Sequence, residues 1–288
     1  MLIQRWFASL VNRAVAMVTV VVLATALIVT AAGHLLSRAE LEQQARNQVA
    51  TIADLVAVAL DDKLGRRLEI LAEVAGSLTM SETALRGRAR VLVQQQVALH
   101  HEFDGVYLIG AEGRVLAEYP QAYGQTGLDV SYRDYFRQVS RQLTPVISEP
   151  YLSNYQDRPA VMVAAPVFNH QGRFIGVLGG AILLDGDNFM EEFAHLRIGD
   201  TGYLKLASRR GTIIRHGGTG EVMVPVADDD PVMTDAVGGF EGTVRNRNTS
   251  GQNSIMSVQQ MAQVPWFVVA VWPEREAYAP ITRVADTF

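Results

Sequence analysis

Hydrophobic and polar positions change texture three times along the chain. Residues 14–36 contain no Asp, Glu, Lys or Arg, and only Thr19, Thr25, Thr30, Gly33 and His34 interrupt the apolar run. As a helix rising about 1.5 Å per residue, this stretch is long enough for a hydrocarbon core of about 30 Å, and it predicts a transmembrane helix over 14–36. The threonine hydroxyls can return to backbone carbonyls. Arg5 and Arg13 precede the run with Trp6 and Phe7 between them, and this end carries no acid. By the positive-inside rule, residues 1–13 stay cytoplasmic and the following chain is exported. The competing reading is a cleaved signal peptide ending near Ala31-Ala32-Gly33. The apolar run exceeds the ordinary 7–15 residues of such a peptide, and the amphipathic pattern continues directly out of it, so an uncleaved anchor is expected.

The second texture is helical. Leu41, Ala45, Val49, Ile52, Val56, Leu60, Leu64, Leu68, Leu71, Ala75 and Leu78 recur in steps of three or four between charged residues. One apolar stripe on so long a helix must bury against a sheet, a second copy of the helix, or both. Gly65 and Gly76 are the points where it bends or ends. Residues 37–103 are therefore read as long stalk and packing helices.

The third texture alternates. Strands are predicted at 106–109 and 114–119 across a turn at 110–113, a short helix at 133–141, a hairpin of 161–168 and 174–184, and a connecting helix at 188–196. The order then repeats: strands at 202–207 and 212–216, a short helix at 232–237, and strands at 242–247, 254–261 and 266–272. Self-similarity at an offset just under a hundred residues predicts an α+β chain with two stacked antiparallel-sheet modules, at 104–196 and 197–275, with 276–288 leading back toward the membrane.

Composition narrows the chemistry. The chain has 25 basic and 30 acidic residues, a formal net charge of −5, and no cysteine. No nucleic-acid partner is indicated, and disulfides, Cys-ligated metal, iron–sulfur clusters and thiol nucleophiles are excluded. His100-His101-Glu102 with Asp104 is a weak metal candidate, because adjacent helical histidines point about 100° apart. Asp228-Asp229-Asp230 lacks the 12-residue calcium-loop spacing. The glycines at 217–220 lack the lysine of a phosphate loop. Neither a Gly-x-Ser-x-Gly elbow nor a His-Glu-x-x-His pair occurs. No cofactor, metal or catalytic residue is assigned.

The segments DVSYRDYF at 129–136, PVISEPY at 145–151, PAVMVAAPV at 159–167 and GRFIGVLGG at 172–180 resemble the double Cache family of extracytoplasmic sensor domains. GFEG at 239–242, VPW at 264–266 and WPE at 272–274 resemble the end of its second module. The likeness covers nearly everything after the anchor. It implies two tandem PAS-like modules carried by a long helix, the membrane-distal one (104–196) holding a small molecule. The output would be a diguanylate cyclase, histidine kinase or chemoreceptor domain, none of which follows in this chain.

On this resemblance the ligand site comprises Arg133, Tyr135, Phe136, Tyr151, Tyr107 and Ala181. Arg133 would clamp a carboxylate with its planar fork. Tyr135, Phe136 and Tyr151 would supply walls, Tyr107 would face inward from the first strand, and Asp134 would pair with Arg133 or the local turn. Ala181 stands where the family's amino-acid-binding members place an acid for the ligand's ammonium, and Tyr135-Phe136 replaces their Trp-Tyr pair. A small carboxylate is therefore expected rather than an α-amino acid. The expected whole is a single-pass inner-membrane receptor with a periplasmic sensor, homodimeric through the long helix. The competing classes are an anchored enzyme and a passive scaffold.

Overall fold

The computed structural model describes residues 2–248 and 250–278. It comprises two compact units, one running up to Gln48 and resuming at Ala277, the other Val49–Glu276.

The first unit holds the beginning of helix α1 (Leu2–Ser77). The hydroxyls of Thr19, Thr25 and Thr30 donate to the carbonyls of Val15, Val21 and Ala26 at 2.8–2.9 Å, the back-bonding expected of threonines in an apolar helix. The side chains of residues 15–30 are exposed. Among the described residues, no helix is long and apolar enough to cross a membrane. The other side chains of the predicted 14–36 span (Ala14 and residues 31–36) lie outside the described residues. So do the side chains of the predicted cytoplasmic segment 1–13 and most of the C-terminal segment, 279–288.

In the second unit α1 continues with Val49, Ala53, Ala57, Leu60, Leu64, Leu71 and Ala75 fully buried. The buried line is offset from the expected one. Ile52 and Val56 flank it half-buried while the smaller Ala53 and Ala57 take the innermost positions, because a short side chain lets the helix axis approach its neighbours. The helix runs through Gly65 and ends just past Gly76. Asp61 on α1 accepts the backbone N–H groups of Ala262 and Gln263 at 2.6 and 3.1 Å. Helix α2 (Glu82–Gln95) starts at a Ser81 cap whose hydroxyl accepts from the Ala84 N–H. Helix α3 (Val97–Glu102) is held by Arg67, which donates to the Glu102 carbonyl at 3.0 Å and pairs with its carboxylate at 3.2 Å.

The first sheet has the order β2-β1-β6-β5-β3. Its strands are β1 (Gly105–Gly110), β2 (Val115–Tyr119), β3 (Val146–Ile147), β5 (Pro159–Phe168) and β6 (Phe174–Leu183), and β4 (Tyr151–Leu152) is added on β5. Helix α4 (Asp134–Gln142) covers one face with Tyr135, Phe136 and Val139. Strand β6 is glycine-rich because both its faces are crowded. A Cβ at Gly180 would lie 2.5 Å from the Phe103 ring, and one at Gly179 would lie 2.9 Å from the Met162 sulfur. Helix α5 (Phe189–His195), capped by the Asn188 side chain, connects to the second sheet.

That sheet has the order β10-β11-β12-β7-β8-β9: β7 (Tyr203–Ser208), β8 (Thr212–His216), β9 (Val222–Pro225), β10 (Gly242–Arg247), β11 (Asn253–Gln260) and β12 (Trp266–Pro273). Helix α6 (Pro231–Val237) packs on it through Val232, Met233 and Ala236. The expected internal repeat is visible at the level of single residues. β1–β2 shifts register at Leu108/Ile109 opposite Ala117 and Val115, and β7–β8 shifts at Leu206/Ala207 opposite Arg215 and Ile213, the same bulge in the same place. The strands and short helices expected from the sequence are present, with ends shifted by one or two residues. The short strands β3, β4 and β9 were not foreseen.

Candidate ligand-binding site

One face of the first sheet carries Tyr107 and Ile109 on β1, Met162 and Ala164 on β5, and Val177 and Ala181 on β6. This follows from strand alternation: residues two apart share a face. Helix α4 and the segment around β4 close over that face. Between them lies a crevice of about 30 Å³ lined by Tyr107, Ile109, Val115, Gln125, Val130, Arg133, Tyr135, Tyr151, Ser153, Asn154, Tyr155 and Met162. A second, wider hollow of about 230 Å³ shares Arg133, Tyr135 and Tyr151 with it and adds Tyr132, Asp134, Ser148, Glu149 and Pro150. The inner space holds about one water. Anything larger requires α4 and the β4 segment to separate.

Arg133 is the N-cap residue of α4 and has extended backbone, which turns its side chain away from the helix. Its guanidinium donates to the Asn154 side-chain oxygen at 2.7 Å and stands 5.0 Å from the Tyr151 ring and 5.1 Å from the Tyr132 ring. Cation–π contacts of this kind hold a guanidinium over a hydrophobic wall while leaving its other donors free to turn toward a ligand. The Tyr135 and Tyr151 rings meet at 5.6 Å and 45°. Burial pushes the Tyr107, Tyr135 and Tyr151 phenols up from their ordinary range, so each stays protonated and able to donate.

Of the six residues expected from the sequence, Arg133, Tyr135, Tyr151 and Tyr107 come together around the crevice. Phe136 does not line it: one position further along α4, it points into the core beside Val139. Ala181 shares the sheet face but also lies off the lining, and its strand neighbour across β5 is Met162. Asp134, expected to pair with Arg133 or with the local turn, lies 3.8 Å from Arg210 of the β7–β8 turn. The nearby acid Asp104 is spent elsewhere, accepting from the Leu183 N–H and from Asn188.

Sequence reasoning missed Gln125, Ser153, Asn154, Tyr155 and Met162. Gln125 sits where buried Glu118 accepts the Gln125 N–H at 2.8 Å and the Thr126 N–H at 3.4 Å. Ser153 and Asn154 belong to a loop in which Gln156 and Asp157 both adopt positive φ. The far end of that loop is fixed by Arg158, which pairs with Asp185 at 2.8 Å. The one cue in the sequence was polarity at 153–158 between two strands, which reads equally as solvent-facing turn.

Comparison with known proteins identifies the fold. The double Cache model, described as Cache domain, matches residues 37–281. The chain belongs to the Cache domain family. A curated Cache relative is the methyl-accepting chemotaxis protein PctB of Pseudomonas aeruginosa, 23% identical over 265 residues, which is 92% of this chain and 41% of that protein. The chain thus spans less than half the length of the relative. Among solved Cache structures, the ligand-binding domain of Mlp24 with asparagine has a TM-score of 0.66 at 19% identity, covering 85% of this chain and 98% of that one. The ligand-binding domain of the Pseudomonas aeruginosa amino acid chemoreceptor PctC with GABA has a TM-score of 0.64 at 21% identity, covering 79% and 99%. These likenesses show a shared double Cache fold.

Proposed function

We propose that the chain is the ligand-sensing region of a transmembrane receptor. The helix at 14–36 anchors it in the inner membrane, and its two Cache modules face the periplasm. The first module is membrane-distal and takes the ligand in the crevice beneath α4. The second is membrane-proximal, and α1 pairs with its counterpart in a second copy. The role is binding rather than turnover, with output supplied by a signalling domain of the kind carried by chemotaxis receptors.

One observation carries the ligand class. The crevice presents a single guanidinium, four phenols and the side-chain amides of Gln125 and Asn154, and none of its lining residues is acidic, the carboxylates of Asp134 and Glu149 belonging to the adjoining outer hollow. Such a surface recognises a small carboxylate through Arg133 and offers no counter-charge to an ammonium group. Asparagine and GABA, the ligands seen with Mlp24 and PctC, both carry an ammonium group, so they are the natural comparison compounds here. Since only a ligand that discriminates between open and closed crevices shifts their balance, binding drives α4 and the β4 segment toward one arrangement. Two contacts support a route onward. Glu149, at the lip, lies 4.0 Å from Arg210 of the second module. Asp61 then ties α1 to the turn after β11.

The test is a thermal-shift series on the full chain in detergent, comparing short mono- and dicarboxylates with asparagine and GABA. The expected outcome is stabilisation of several degrees by at least one carboxylate, lost in Arg133→Ala. Stabilisation by the amino acids alone, or an Arg133→Ala protein that responds like the parent, rejects the reading.

A further inference from the structure

The second module repeats the architecture of the first, yet its corresponding place is filled differently. Lys205 holds the third position of β7, as Tyr107 does in β1. Its side chain is only 2% exposed. Opposite it across the β7–β8 ladder stands His216, also 2% exposed. Asp230 occupies the N-cap of α6, as Arg133 does in α4. Its Oδ2 accepts from the Lys205 ammonium at 3.3 Å, and its Oδ1 accepts the Met233 N–H at 3.2 Å.

His216 is spoken for on one edge only. Its Nδ1 accepts the N–H groups of Gly218 and Thr219 at 3.0 and 3.1 Å, which places the ring proton on Nε2. That Nε2–H is buried and finds no acceptor among the described residues. The Lys205 ammonium has three N–H donors, one of which meets Asp230 at a long distance. A cation and a neutral N–H donor, both withdrawn from water, thus lie opposite one another on paired strands, and the one carboxylate that meets the cation has an oxygen already committed to the helix cap. Unmet donors of this kind are costly, and a free carboxylate with both oxygens available would satisfy them better.

We propose that Lys205 and His216 form a carboxylate-recognition site in the second module, and that the side chain of Asp230 occupies it as a tethered ligand. The inference is independent of the reading of the first module. The Asp230 side chain is 17% exposed while that of Lys205 is 2%, so removing the carboxylate opens a route from solvent to the ammonium. Its consequence is a division of labour. The second module carries its own guest and stays closed, and a monocarboxylate enters it only when Asp230 is gone.

The experiment is chemical rescue. Every protein carries Arg133→Ala, which silences the first module. In that background Asp230→Ser keeps a helix-capping oxygen but removes the carboxylate. Its thermal midpoint should fall by on the order of 10 °C, the scale for uncovering a buried charge. Acetate or formate should restore at least half of that fall, with sodium chloride of equal ionic strength ineffective. The parent with Asp230 intact should not respond to acetate. Adding Lys205→Met should abolish rescue. The His216 Nε2–H resonance, followed by ¹⁵N NMR, should shift on acetate addition only in the Asp230→Ser protein. If that protein is recovered folded only in acetate or formate, the proposal stands. If neither anion improves recovery or midpoint, if the parent responds as strongly, or if rescue survives Lys205→Met, it is overturned.

Discussion

At the scale of single residues, buried polar groups do most of the positioning. Glu118 and His216 occupy corresponding places after the two bulges, and each accepts two backbone N–H groups from the turn that follows, one with a carboxylate and the other with an imidazole. The imidazole brings a pH dependence. Burial first, and the nearby Lys205 charge second, hold the His216 ring down to about 4 from its usual 6.5, against the opposing pull of Glu221 and Asp230. A group whose folded pKa is depressed binds its proton more readily in the unfolded chain. Stability from this histidine is therefore complete above pH 6.5 and is lost as pH falls toward 4. Between pH 7 and pH 5 the loss is about 2 kcal/mol. Urea unfolding at the two pH values should show it in the parent and not in His216→Asn, which keeps an acceptor for the turn.

At the scale of elements, the contact that binds the long helix to the second module is small and specific. The Asp61 carboxylate takes the N–H groups of Ala262 and Gln263, which would otherwise lack a partner at a tight turn. Asp61→Ala should raise the amide exchange rates of these two residues at least tenfold, with Asp61→Asn intermediate; hydrogen exchange read by mass spectrometry or NMR checks it. This contact had no signature in the sequence, because an aspartate on a charged helix reads as solvated surface. The elements themselves were legible: period-two runs gave the long strands and period-3.6 runs gave the helices. The strands that escaped, β3, β4 and β9, are only two to four residues long, too short for a period to register. The helix stripe was legible as a stripe but not in its phase, since alanine carries little hydrophobic weight while its small size is what brings Ala53 and Ala57 innermost.

At the scale of the whole molecule, Leu55 and Val58 stand on one side of α1, 62% and 52% exposed, three residues apart and away from the buried line. If the proposed pairing of two copies uses this side, Leu55→Glu with Val58→Glu should weaken self-association at least about tenfold, since each anchor removed from an interface core costs more than about 1 kcal/mol. Sedimentation velocity on the detergent-solubilised chain measures it. An unchanged association would move the pairing surface elsewhere. The candidate site was legible in part and for a physical reason. Arg133, Tyr135, Tyr151 and Tyr107 lie in regular elements whose geometry fixes their direction. Ser153, Asn154 and Tyr155 owe their place to a loop shaped by backbone angles that residue type does not announce.

The register slip common to both hairpins bears on how the molecule arose. An extra residue taken up as a bulge leaves the side chains on either side of it facing as before, but it bends and twists the strand at that point, and the side chains packed there are fitted to that bend. Two lobes that share it at matching positions are best understood as copies of one ancestral hairpin that already possessed the irregularity. Descent since then has been free to trade a carboxylate for an imidazole at the anchor, but not to straighten the strand.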